Sequence, residues 1–112
     1  MTSQQIDLNL AKEFTTTPGP RKRSEGKFSG QEFRETILRP RFIEAEAANA
    51  ILRVNLDGAV GYPTSFLEEA FGGLAREYSI ERVLVRIEIT SNNEPYLIQD
   101  IKRYIREANT KK

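Results

Sequence analysis

The order of periodic segments predicts a two-layer α/β domain, a mixed four-stranded sheet with helices mainly on one face. Three observations carry this. Strand-like and helix-like stretches follow one another as β, β, α, β, α, β, α, and strands separated by helices imply crossover units with parallel pairs. The clearer strands alternate apolar with polar residues, whereas strands buried on both sides read as near-continuous apolar runs. Each long helical segment carries an apolar stripe on one side.

The first strand is IDLNL, residues 6–10, where Ile6, Leu8 and Leu10 alternate with Asp7 and Asn9. Residues 15–30 collect Pro18, Gly19, Pro20, Gly26 and Gly30 and read as turns. Within them Arg21–Arg23 is expected to form a short strand paired with the first across the Pro-Gly turn, which makes the sheet mixed. Ser29-x-x-Glu32 is a capping box that opens a helix with Phe33, Ile37 and Leu38 on one face, and Phe42 and Ile43 beyond. Pro40 should kink or restart that helix, because it lacks an N–H and crowds the preceding turn.

ILRVNL, 51–56, is the second clear strand, and RVLVRIEI, 82–89, the third, with Val83, Val85, Ile87 and Ile89 on one face. Between them Phe66, Leu67, Ala70, Phe71 and Leu74 recur at helical spacing up to about Tyr78. The pair Gly72-Gly73 costs this helix stability and is expected to let it lie close to a neighbour. SNNEP starts the last helix, whose stripe is Leu97, Ile98, Ile101, Tyr104 and Ile105. The chain reads as one domain, 1–112, with a core from about 5 to 107 and a polar tail at 108–112.

Composition excludes several chemistries. Among 112 residues there is neither His nor Cys, which removes the usual zinc ligands and the Ser-His-Asp and Cys-His nucleophiles. Asp7, Asp57, Glu68, Glu69 and Glu88 are scattered without an acid/base or metal spacing. Gly58 and Gly61 form no phosphate-binding signature. The expectation is a non-enzyme without cofactor or metal. Hydrophobic residues at 38%, charged residues at 29% and a net charge of +1 suit an ordinary globular chain. No apolar run spans a membrane and the opening MTSQQIDLN lacks a signal-peptide core, so the expected location is cytoplasmic.

NLDGAVGYPTSFLEE, 55–69, resembles the strand–loop–helix signature of STAS domains, the fold of anti-sigma factor antagonists, roughly D-L-S-G-V-x-x-x-D-S-S-G-L. Asn55, Leu56, Gly58, Ser65 and Leu67 fall on that pattern. Thr64, Ser65, Phe66, Glu69, Phe71 and Gly72 also reproduce the T/S-S-F-x-x-E-x-F-G core of STAS-like domains of unknown function, and PGPRKRSEGKFSGQEFRE resembles that family's lead-in. The resemblance covers about residues 5–107. It implies a regulatory, protein-binding module whose partner is a kinase-type ATP-binding protein, with Ser65 at the antagonist's recognition serine. Pro63 and Phe66 depart from the antagonist pattern, where an Asp and a Gly flank the serines.

Two function classes follow. In the first, Gly61, Tyr62, Pro63, Thr64, Ser65, Phe66, Glu68 and Glu69 form a partner-facing corner, with Ser65 and Thr64 as candidate phosphoacceptors. Ser65-x-x-Glu68 reads first as a capping box, so the structural reading of the hydroxyl is favoured over the regulatory one. A phosphate there would meet helix N-terminal amides, but also two neighbouring carboxylates. In the second class, Arg21, Lys22, Arg23 and Lys27 hold a phosphate ligand or a nucleic-acid backbone.

Overall fold

The computed structural model describes residues 4–108, and the tail residues 109–112 lie outside them. Strand β1, Gln4–Asn9, ends where the Asn9 side chain accepts the Lys12 N–H at 2.9 Å and caps the short helix α1, Leu10–Glu13. A turn-rich stretch then leads to α2, residues 30–48. Ser29 caps it by accepting the Glu32 N–H at 3.0 Å, as the motif predicts. This helix is continuous but contains a wide, π-helical turn, Arg34–Leu38, ahead of its last segment, Arg39–Ala48. In that turn the Arg39 N–H reaches back five residues to the Arg34 carbonyl, and Pro40 follows at once. The wider turn accommodates a residue that has no N–H to give and crowds a regular α-turn.

β2, Ala50–Asn55, precedes α3, residues 64–77, which holds a second π-helical turn, Glu68–Gly72. Helix α4, Ile80–Arg86, β3, Ile87–Thr90, and α5, Tyr96–Arg106, complete the five α-helices of the described residues, beside one 3-10 turn at Arg23–Glu25.

The sheet differs from the expectation. It has three strands in the order β1-β2-β3, all parallel, and residues 21–23 add no fourth. Their hydrogen-bonding groups go elsewhere: the Arg21 carbonyl accepts from the Gln31 N–H, Lys22 N–H donates to Glu25, and Arg23 N–H donates to the Gln31 side chain. The third strand is also shorter than 82–89, because residues 82–86 are helical. Ser79 caps that helix by accepting the Arg82 N–H at 3.1 Å. Ile80, Val83 and Leu84 pack inward at helical spacing while Val85 is 66% exposed, which a strand with all its valines on one face would not allow.

Registry places Ile6, Leu8, Leu52, Val54, Ile87 and Ile89 on one face, packed into the helices around fully buried Phe33, Phe42, Phe66 and Phe71. The other face carries Gln5, Asp7, Asn9, Arg53, Asn55, Glu88 and Thr90, none of them buried. It is open, as the alternation predicts. Ala108, the first residue of the expected polar tail, is instead fully buried in the core.

Candidate functional site

The crest of the molecule lies beyond the carboxyl ends of the three strands, where open parallel sheets commonly place a binding crevice. Its centre is the loop from β2 to α3. Gly58 adopts φ +105°, and a Cβ there would sit 3.1 Å from the Ala11 methyl, so both conformation and space call for glycine. The loop is braced by its neighbours. Asp57 accepts the backbone N–H groups of Asn92 and Asn93, each at 2.9 Å, and Val60 N–H donates to the Thr16 carbonyl at 2.9 Å. Tyr62 donates its hydroxyl to the Leu56 carbonyl at 2.7 Å, and burial, with the nearby Asp57 and Glu94 charges, pushes that hydroxyl pKa upward, so it stays a donor. Three loops are thus tied together, yet Val60 stands 83% exposed above them.

Helix α3 begins two residues earlier than the capping motif suggests. Pro63 is its N-cap, in extended conformation, with Thr64 and Ser65 already in the first turn. Ser65 is therefore not a cap, and the expected box with Glu68 does not form. Its half-exposed side chain makes no hydrogen bond among the described residues, and neither does that of exposed Thr64.

Phe66, Glu68 and Glu69, expected to face a partner, instead point inward. Phe66 is fully buried between Phe33 and Tyr62, and Glu68 and Glu69 are 3% and 5% exposed. The adjacent carboxylates lie in the second π-helical turn and meet cations from distant parts of the chain. Glu68 takes Arg21 at 2.5 Å and Arg76 at 2.8 Å, while Glu69 takes Arg34 at 2.6 Å, with Arg21 at 3.4 Å and Lys22 at 3.5 Å. Burial alone would raise both carboxyl pKa values. The hydrogen bonds and charges of these cations outweigh it and hold both groups below the usual range. Gly72 and Gly73 make the room: a Cβ on Gly72 would lie 2.7 Å from a Glu68 oxygen, and one on Gly73 2.5 Å from Arg34 Nη1. Gly72 also lets α5 approach, with the Tyr104 carbonyl 3.3 Å from that same point.

The basic loop is consequently engaged. Arg21 and Lys22 lock onto Glu68 and Glu69, Arg23 pairs with Glu35 at 2.9 Å, and only Lys27 of the four expected phosphate contacts makes no ion pair among the described residues. The acids that hold this loop were legible as residues but not as its partners. Asp57 escaped the sequence reading as a site residue, although Asp57-Gly58 is a strong turn signal.

Among the described residues no group of three or more acidic side chains is arranged to hold a metal ion, and no helix is long and apolar enough to cross a membrane. The model of a family described as STAS-like domain of unknown function (DUF4325) matches residues 29–97, more than half of the chain, from the cap of α2 to the first turn of α5. No curated protein and no solved structure shows a match.

Proposed function

The chain belongs to this family of STAS-like domains, and from that premise we propose that it is a non-catalytic regulatory module of the cytoplasm that binds a protein partner through the crest at 57–65. The observation that carries the reading is the combination of stiffness and exposure in one loop. Asp57 and Val60 fix its backbone to two neighbouring loops and Tyr62 closes it onto Leu56, while the Val60 side chain stands in solvent and Ser65 is partly exposed. An apolar side chain held out on a preorganised loop loses little entropy on docking. The partner class is a histidine-kinase-type ATPase, as the resemblance to antagonists of anti-sigma factors implies, and Ser65 and Thr64 are the accessible hydroxyls for modification. The phosphate-binding alternative has less support, because Arg21, Lys22 and Arg23 already hold carboxylates.

The test is a binding titration against purified histidine-kinase-type ATPases. Val60→Asp should weaken the complex at least tenfold and Ser65→Asp should abolish it, while Lys27→Ala leaves it intact. Equal affinity of wild type and Val60→Asp would exclude the crest as the docking surface.

A further inference from the structure

The two edges of the sheet are finished differently. In a parallel ladder, alternate residues of a strand turn their N–H and C=O to one neighbour and the intervening residues turn theirs to the other side. Leu56 N–H donates to the Thr90 carbonyl at 2.9 Å, and Thr90 is paired with Asn55. Glu88 and Thr90 therefore bond to β2, while Ile87 and Ile89 present their amide groups outward. The same parity makes Asp7 and Asn9 outward residues of β1. That edge is closed by side chains: Arg41 donates to the Asp7 carbonyl at 3.3 Å, Glu13 accepts the Asn9 N–H at 3.0 Å, and Arg41 and Glu13 pair with each other. Charged groups placed so are a means by which native sheets prevent edge-to-edge association.

The β3 edge has no such cover. The Ile87 N–H returns to the Val83 carbonyl as the helix ends, but among the described residues nothing meets the Ile87 carbonyl or the N–H and C=O of Ile89. Beside this edge runs a groove of about 250 Å³, lined by the apolar Leu84, Val85, Ile87 and Ile98 and by the charged Glu88 and Lys102. Val85 is 66% exposed. An open strand edge next to apolar side chains is a template for another strand.

We propose that β3 pairs antiparallel with β3 of a second copy of this chain, about a two-fold axis at Ile89, joining two three-stranded sheets into one. Charge and parity select this occupant and its register. A two-fold normal to the sheet leaves both helical layers on the same face of the joined sheet and sets residues of equal parity opposite one another. For a strand of four residues, the axis then falls at Glu88 or at Ile89. At Glu88 it would bring two carboxylates face to face, a repulsion that the Arg53 paired with each at 2.8 Å only partly offsets. At Ile89 the outward amide groups of the two isoleucines meet in a reciprocal pair of hydrogen bonds, and each Glu88 lies opposite Thr90 of the second copy. The same patch thus supplies both halves of the contact without opposing like charges, and the groove beside each β3 is covered by the other copy.

Sedimentation equilibrium of the purified chain, from micromolar to near-millimolar concentration, tests this, with circular dichroism as the fold control. Wild type should show a reversible monomer–dimer equilibrium. Val85→Glu, at an exposed position that tolerates charge, should stay monomeric with an unchanged spectrum. Thr90→Lys sets a cation opposite Glu88 of the second copy and should tighten the dimer about two- to tenfold, as expected of two symmetry-related cross-strand ion pairs. Adding Glu88→Lys to Thr90→Lys should then dissociate it. A wild type that remains monomeric throughout overturns the proposal, as does a dimer that neither Val85→Glu nor Thr90→Lys affects.

Discussion

Arg34 and Glu69 join the two π-helical turns, with Nη1 of the arginine 2.6 Å from a carboxylate oxygen and 2.8 Å from the backbone carbonyl of the same glutamate. Their side chains are only 10% and 6% exposed, and Arg34 Nε also reaches Glu77 at 2.9 Å. Removing one member of a buried ion pair strands the other's charge, at a cost of about 3–5 kcal/mol. Arg21 and Lys22 remain near Glu69, so Arg34→Met should fall near the lower bound, about 3 kcal/mol, in urea unfolding. Arg34→Met with Glu69→Leu should cost less than the two single changes added together, because the double variant strands no buried charge, only the half-exposed Lys22 losing its partner.

Acid should unfold the domain through the same carboxylates. Glu68 and Glu69 have lowered pKa values in the fold, so the unfolded chain binds protons first as pH falls. Stability should be full above about pH 5. It should decline as pH drops through the unfolded glutamate pKa of about 4.3, and be lost through the lower folded values. Replacing both residues by Gln should flatten that decline in a pH series of thermal melts. An unchanged slope would show that the acid sensitivity lies elsewhere.

Ser29 and Ser65 look alike in sequence and should behave differently. Ser29→Ala removes a buried cap that holds the Glu32 N–H and is expected to cost about 1 kcal/mol. Ser65→Ala removes no hydrogen bond and should stay within about 0.5 kcal/mol of wild type. Parallel denaturant titrations of the two variants decide this, and a Ser65→Ala loss matching that of Ser29→Ala would mean that Ser65 is the cap after all.

Two glycines make a similar contrast. A Cβ on Gly30 would fall 2.5 Å from the Phe66 carbonyl oxygen, where α2 crosses the start of α3, and backbone cannot step aside. Gly30→Ala should cost at least 1–3 kcal/mol, the usual range of overpacking. At Gly61 nothing lies within 4 Å of the added carbon, so Gly61→Ala should be neutral or stabilise by up to about 1 kcal/mol through the unfolded state. Differential scanning calorimetry of the two variants reads both signs.

The elements that sequence reveals best are those in which one periodicity stands alone. Leu52, Val54 and Leu56 alternate with Ile51, Arg53 and Asn55, and only the first three are buried. Leu97, Ile101, Tyr104 and Ile105 make a helical stripe that is likewise buried. Residues 82–89 satisfy two periods at once, since Val83, Val85, Ile87 and Ile89 alternate while Ile80, Val83, Leu84 and Ile87 follow helical spacing. There the Ser79 cap tips the balance toward helix. The crest loop was legible as a Gly- and Pro-rich turn before a helix, but its bracing was not. Glu68 and Glu69 read as solvent-facing because their cations stand some 35 to 48 residues earlier or a turn or two later, a distance no local pattern spans.

The segment PRKRSEGK offers trypsin three consecutive cleavage sites in a surface loop, yet its backbone is closed at both ends by Gly19 N–H to the Phe28 carbonyl and Gly30 N–H to the Pro20 carbonyl, each at 2.9 Å. Arg21 is pulled toward Glu68, away from a protease's specificity pocket. Cleavage must await local opening of the loop, so the rate of nicking under native conditions measures how often the ion pairs release it. Any ligand that competes for Glu68 or Glu69 would hasten that cut, and a simple digestion time course becomes a gauge of the buried carboxylates.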